Sequence, residues 1–225
     1  MTNGPSRLRL ILCTESGRPR QVVIPPVGIY AARVESRTTT HHQFTLHTPS
    51  TTTGKAAELL GDLWSRHDGK VGPMVRSMAG SPSVLAGYLD LSRAMKRSTL
   101  ARPISARISL AIQQRLGCGL CLEAHSSAAR SVGVTDDEID AARHGTSADP
   151  AIAAIIRFAV RLDSRPAEVD VGTIDELRAF GYSDGEILDV VGLVALNLLT
   201  GTFNLVAGLE PEPLPHQAPT IRRAS

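Results

Sequence analysis

Cys118-Gly119-Leu120-Cys121-Leu122-Glu123-Ala124-His125 sets two thiols and an imidazole at spacings of three and four. Those are the neighbour spacings of an α-helix, so a helix here turns all three side chains towards one face. At about 3.6 residues per turn, Cys121 and His125 lie within about 60° of Cys118 around the axis. The stretch therefore asks for a helix, and most of the chain around it reads as further helices able to bury such a site.

Composition points the same way. A chain of 225 residues makes one comfortable domain or two small ones. Hydrophobic residues are 42% and aromatics only 4%, so the core must be built from Ala, Leu, Val and Ile. That favours close helix–helix packing over a β-sandwich. With 24 basic and 22 acidic residues the net charge is +2, which predicts no nucleic-acid partner and no membrane patch. Three cysteines do not make a disulfide framework, and a C-x-x-C in a cytosolic protein reads as redox or metal chemistry.

Upstream of the motif, apolar residues at 56, 59, 60, 63 and 64 mark a helical stripe, and a short helix is expected over 74–78. Ser81-Pro82-Ser83 starts another helix, with Ser81 as N-cap. The next begins near Pro103 and runs to Leu116. Gly117 and Gly119 bracket Cys118, so a break is expected there, with a helix over Cys121–Ser131 ending at Gly133. Thr135 with Glu138, and Ser183 with Glu186, predict two capping boxes. Asp149-Pro150 opens a broad apolar helix, and residues 170–180 form a short amphipathic one.

Val190 to Leu209 contains no charged residue and would match a membrane span by length. Asn197, Thr200, Thr202 and Asn204 interrupt it and no basic cluster flanks it, so the expectation is a helix buried in the core or at a subunit interface.

Residues 1–48 differ from the rest. Two short apolar runs, Arg7–Leu12 and Gln21–Ile24, predict a poorly ordered extension or a weak hairpin. Leu10–Cys13 is too short for the apolar region of a signal peptide, and the bulky Leu12 argues against a lipoprotein site. A cytoplasmic location is expected. The helical domain is expected over 49–210, followed by a Pro-rich tail over 211–225.

A thiol becomes a nucleophile as its thiolate, which a helix N-terminus and a nearby imidazole both favour. His125, one turn after Cys121, can accept or share the thiol proton. A second thiol three residues away converts a sulfenic acid into a disulfide. A thiol peroxidase or dithiol oxidoreductase needs these parts. Two other readings stand beside it. Cys118, Cys121 and His125 could be three zinc ligands, with Cys13 or the His41/His42/His47 cluster supplying a fourth. Or they could be buried residues without chemistry.

From about Thr53 to Gly208 the chain resembles the carboxymuconolactone decarboxylase-like family, on its alkylhydroperoxidase D-like branch. The resemblance rests on the C-x-x-C-x-x-x-H run at 118–125 and on Gly133-Val134-Thr135-Asp136-Asp137-Glu138-Ile139. Ser81–Leu85, Leu89–Ala94, Arg157-Phe158-Ala159, Gly185–Leu188 and Asn197 add to it. It implies an all-α, compact multi-helix domain that oligomerises through its helices. It also implies reduction of a hydroperoxide substrate by the cysteine pair, with Cys121 peroxidatic, Cys118 resolving and meeting a dithiol electron donor, and His125 in the proton relay. The donor would be a lipoyl protein, a peroxiredoxin or a small thiol; no cofactor or metal is implied. One departure matters. The family pattern places a Glu twelve residues before the first cysteine, and here that residue is Ala106. A missing general base is worth about 10² to 10⁴ in rate, so a non-catalytic oligomeric scaffold with a degenerate relay is the alternative.

Overall fold

A computed structural model describes residues 9–13, 19–23 and 42–211 of the chain. The chain divides into two compact units, 1–39 and 40–225. In the first, β1 (Arg9–Cys13) and β2 (Pro19–Val23) pair antiparallel, with Arg9 opposite Val23 and Cys13 opposite Pro19. The polar run from Ser36 to His41 and the tail beyond Pro211 lie outside the described residues.

The second unit is all-α. Among the described residues its helices are α1 (Gly54–Arg66), α2 (Pro73–Met78), α3 (Pro82–Met95), α4 (Arg102–Leu116), α5 (Gly119–Ser131), α6 (Asp136–Arg143), α7 (Pro150–Ser164), α8 (Val171–Ala179) and α9 (Asp184–Val206). Residues 42–48 belong to this unit too: Gln43 N donates to Ala207 O at 3.0 Å, and Arg76 Nε to His47 O at 3.0 Å.

The starts of the helices follow local chemistry. Ser81 Oγ accepts from Val84 N at the head of α3, and Asp149 Oδ1 accepts from Ala151 N and Ile152 N at the head of α7. At α9 the capping box is complete: Ser183 Oγ accepts from Glu186 N, and Glu186 Oε2 accepts from Ser183 N. At α6 only half of the expected box forms. Thr135 Oγ1 accepts from Glu138 N at 3.3 Å, but the Glu138 carboxylate turns away. It takes bonds from Ser147 Oγ, Ala148 N and Arg107 Nε instead. Three donors, one of them cationic, satisfy a carboxylate better than a single amide. They hold the Glu138 carboxyl below its ordinary range, the Ser147 hydroxyl most of all.

α4 is the axis of the unit. Its successive residues Ile108, Ser109, Leu110, Ala111, Ile112 and Gln113 are all buried, which covers every face of the helix. α5, α6, α7 and α9 surround it. A second cluster, built on Leu60, Met78, Ala79 and Leu85, joins α1, α2 and α3. α9 carries no charged residue after Asp189, yet it is one-sided in burial. Ile187, Val190, Val194, Asn197, Gly201 and Asn204 face inward at spacings of three and four. Leu188 is 69% exposed on the outer side, and Val191, Leu205 and Val206 join it there. So α9 is a core helix along one face only. By length and composition it could also cross a membrane.

Candidate active site

The geometry of the cysteine pair begins at the end of α4. Gly117 is left-handed, with φ of 75°, a conformation glycine adopts without steric penalty. Cys118 N then donates to Gln113 O at 3.2 Å, and Gly117 N to Gln114 O at 3.2 Å, the pair of bonds that defines a Schellman closure. The chain reverses in one residue and Cys118 becomes the N-cap of α5. This corrects the sequence expectation in detail. The helix starts at Gly119 rather than Cys121, and Cys118 caps it instead of riding on its face. The left-handed Gly117 is the cause, since the new helix can begin as soon as the turn is made.

Cys118 and Cys121 are joined as a disulfide with Cα atoms 5.3 Å apart. Cys118 Sγ accepts from Cys121 N at 3.3 Å, as a capping side chain does. Both sulfurs lie in the first turn of α5, where unpaired amides and the helix dipole favour negative charge. Cys118 is 1% exposed and Cys121 5%.

α9 supplies a residue that sequence reasoning did not single out for this role. Asn204 Nδ2 donates to Cys121 Sγ at 3.3 Å. Asn204 is itself buried, and its Oδ1 has no hydrogen-bond partner. Nothing local marks it, because the two residues are 83 positions apart.

Cys121, His125 and Asn204 open onto one cavity of about 540 Å³; Cys118 does not line it. Met74, Met95, Leu193 and Leu196 supply much of the apolar wall. Such a volume and lining suit a small organic ligand. His125 is half-buried, and its burial lowers its pKa from the ordinary value, so the imidazole is neutral near pH 7 and free to accept a proton. Ala106 lines the same cavity beside Ser105 and Ser109. The position of the expected acid thus faces the cavity of Cys121 but presents a methyl group. Glu123 is exposed on α5 and is not part of the lining.

A buried amide network, whose Ser109 and Asn197 also line the cavity, locks α4 to α9. Gln113 Nε2 donates to Asn197 O and Asn197 Oδ1, both at 3.0 Å. Asn197 Nδ2 donates to Ser109 Oγ at 3.1 Å and to Leu193 O at 2.9 Å. Gly201 makes this approach possible, because a Cβ there would lie 2.5 Å from Gln113 Oε1 and 2.6 Å from Leu116 Cδ1. Among the described residues no three His, Cys, Asp or Glu side chains come together as metal ligands.

Comparison with known proteins follows the same line. The model of the carboxymuconolactone decarboxylase family matches residues 82–162. No match was found among curated proteins. Among solved structures, the chain is similar to an alkylhydroperoxidase D core protein from Ralstonia eutropha, described as an uncharacterized peroxidase-related protein. The TM-score is 0.65 at 17% identity, over 76% of this chain and 92% of that one. A peroxidase-related protein from Silicibacter sp. gives 0.63 at 16% identity, over 80% of this chain and 95% of that one. A cysteine-to-alanine variant of the debrominase Bmp8, in complex with 2,3,4-tribromopyrrole, gives 0.57 at 20% identity, over 74% and 91%.

Proposed function

Since the chain is carboxymuconolactone decarboxylase-like over residues 82–162 and has an alkylhydroperoxidase D-like fold, we propose that it reduces hydroperoxides through a Cys118–Cys121 dithiol–disulfide cycle. One observation carries this reading: the disulfide presents one sulfur, that of Cys121, to a cavity it shares with a neutral imidazole.

In the reduced protein the neutral His125 takes the Cys121 thiol proton, and the resulting thiolate attacks the terminal peroxide oxygen. The O–O bond breaks, the alcohol leaves with a proton from His125, and Cys121 becomes a sulfenic acid. The Cys118 thiol then attacks the Cys121 sulfur, water leaves, and the disulfide forms. The amide of Asn204 stabilises the thiolate by donating to it, and the first turn of α5 adds its dipole. A dithiol donor closes the cycle, its two thiols becoming a disulfide. Because Cys118 is buried outside the cavity, the donor enters by the same route as the peroxide and attacks Cys121. Cys118 then departs as a thiolate stabilised by Cys121 N. A lipoyl group, a small thiol or a narrow peroxiredoxin segment would fit this access.

The protein acts as a soluble, cytoplasmic homo-oligomer in this proposal. The outer stripe of α9, with Leu188 and Val191 exposed, favours a helix-mediated subunit contact over a membrane span. A second reading, a non-catalytic scaffold, is favoured by one observation, the methyl group of Ala106 in the acid's place. Hydroperoxide consumption with a dithiol donor separates the two. Cys121→Ser is expected to lose at least about 10³-fold in turnover, and Cys118→Ser to stop at a trapped sulfenic acid. Wild-type turnover in Cys121→Ser would overturn the peroxidase cycle. Thiol titration is the second arm: two thiols with ordinary pKa values near about 8.5 would favour the scaffold.

A further inference from the structure

The cavity that holds Cys121 is electrically one-sided. Its wall contains two exposed cations, Lys96 and Arg102, but no Asp or Glu, in a chain with 22 acidic residues. Neither Lys96 nor Arg102 has an ion pair or a side-chain hydrogen bond among the described residues. Among the described helices, most of the other arginines are tied to a carboxylate, such as Arg66 to Asp62, Arg93 to Asp90, Arg107 to Glu138 and Arg115 to Asp163. Arg102 also stands in the first turn of α4, where the helix dipole disfavours a cation, and no acidic residue in that turn offsets it. Its place is therefore not explained by the stability of its own helix.

Met74, Met95, Leu193 and Leu196 are apolar. Near Cys121, Asn204 is 5% exposed and its Oδ1 lacks any partner, an unmet acceptor next to the sulfur. Lys96 also borders a second groove of about 330 Å³, which it shares with Lys70.

We propose, resting on the peroxidase reading, that the cavity takes an amphiphilic organic hydroperoxide bearing a carboxylate. The peroxide oxygens lie against Cys121, the hydrocarbon lies along the methionine and leucine wall, and the carboxylate meets Lys96 and Arg102. Reduction leaves the corresponding hydroxy acid and water, with the cysteine pair oxidised to its disulfide. A neutral hydroperoxide fills the apolar wall but leaves both cations unpaired.

Two measurements test this. In the first, a medium-chain hydroperoxy fatty acid is compared with its methyl ester at low ionic strength. The wild-type protein is expected to prefer the acid by about tenfold in kcat/KM, and K96Q/R102Q to lose that preference; two exposed ion pairs at low ionic strength are worth at most about this much. Equal use of acid and ester by the wild-type protein would overturn the proposal. In the second, which needs no turnover, decanoate and decanol are titrated into the oxidised protein by calorimetry. Decanoate is expected to bind more tightly than decanol, and about tenfold more weakly to K96Q/R102Q, with the same thermal melt in both proteins. Decanoate affinity insensitive to the double substitution would overturn the subsite. Decyl phosphate binding at least about tenfold tighter than decanoate would overturn the carboxylate assignment in favour of phosphate. If decanoate binding depends on both cations while no hydroperoxide is reduced, the peroxidase reading fails and the anion subsite stands.

Discussion

The C-terminal end of α4 closes through a Schellman turn and a buried amide network, whereas its N-terminal end has no side-chain cap and borders a cavity. At the closed end Gly117 reverses the chain, Gln113 is pinned to Asn197, and Gly201 lets α9 approach. At the open end Ala101 offers no capping side chain, and Arg102, Ser105 and Ala106 line empty volume. One end decides where the sulfur atoms sit. The other leaves room for a second molecule. A helix buried on every face through its middle can serve both purposes, because its rigid body transmits position from one end to the other.

The largest effect is expected from altering the open end. Ala106→Glu restores a carboxylate to the cavity, and steady-state consumption of a neutral hydroperoxide is expected to rise about 10²-fold. An unchanged rate would mean that proton transfer does not pass this wall. The closed end is broken by Gly201→Ala. Helix propensity alone would favour alanine by about 1 kcal/mol. The close contact with Gln113, which two hydrogen bonds hold in place, outweighs it. A net loss of about 1–3 kcal/mol in denaturant unfolding is expected. A gain would show that α4 and α9 are less tightly closed than their geometry implies.

Smaller changes sharpen the comparison where the two ends meet, at Cys121. Asn204→Leu removes a donor to the sulfur and is expected to raise the Cys121 thiol pKa by about one unit, read from ultraviolet thiolate absorbance against pH. The smallest effect concerns His125. Burial lowers its pKa in the folded protein, so the unfolded chain takes up the proton first as pH falls. Its contribution to stability is therefore complete above about pH 6.5 and is lost as pH falls through the lowered folded value. The acidic limb of kcat/KM is expected below about pH 6.5, and His125→Gln is expected to flatten the stability loss in that range.

Much of this fold is legible residue by residue. Ser81, Asp149 and Ser183 cap the helices that their positions predict, because a capping bond is made within three residues. Glu138 departs from its expected role since its partners, Arg107 and Ser147, come from outside its own turn. The cysteine motif is half legible. Its helix and the break at Gly117 follow from spacing and glycine, but the N-cap position of Cys118 depends on how abruptly the turn is made. The charge-free stretch from Val190 reads as a helix. That it buries one face and leaves Leu188 and Val191 outside is a property of its neighbours.

The sequence alone determined that Cys121 and His125 share one side of a helix, because the backbone hydrogen-bond period sets that geometry without help from the rest of the chain. It also determined that Ala106 stands where the resemblance expects an acid. Tertiary structure decided which sulfur faces a cavity, that Asn204 donates to it, and that Lys96 and Arg102 border the same space. Those contacts join elements far apart in the chain. Their distances depend on how closely helices cross, which a glycine such as Gly201 settles through volume rather than through any local pattern.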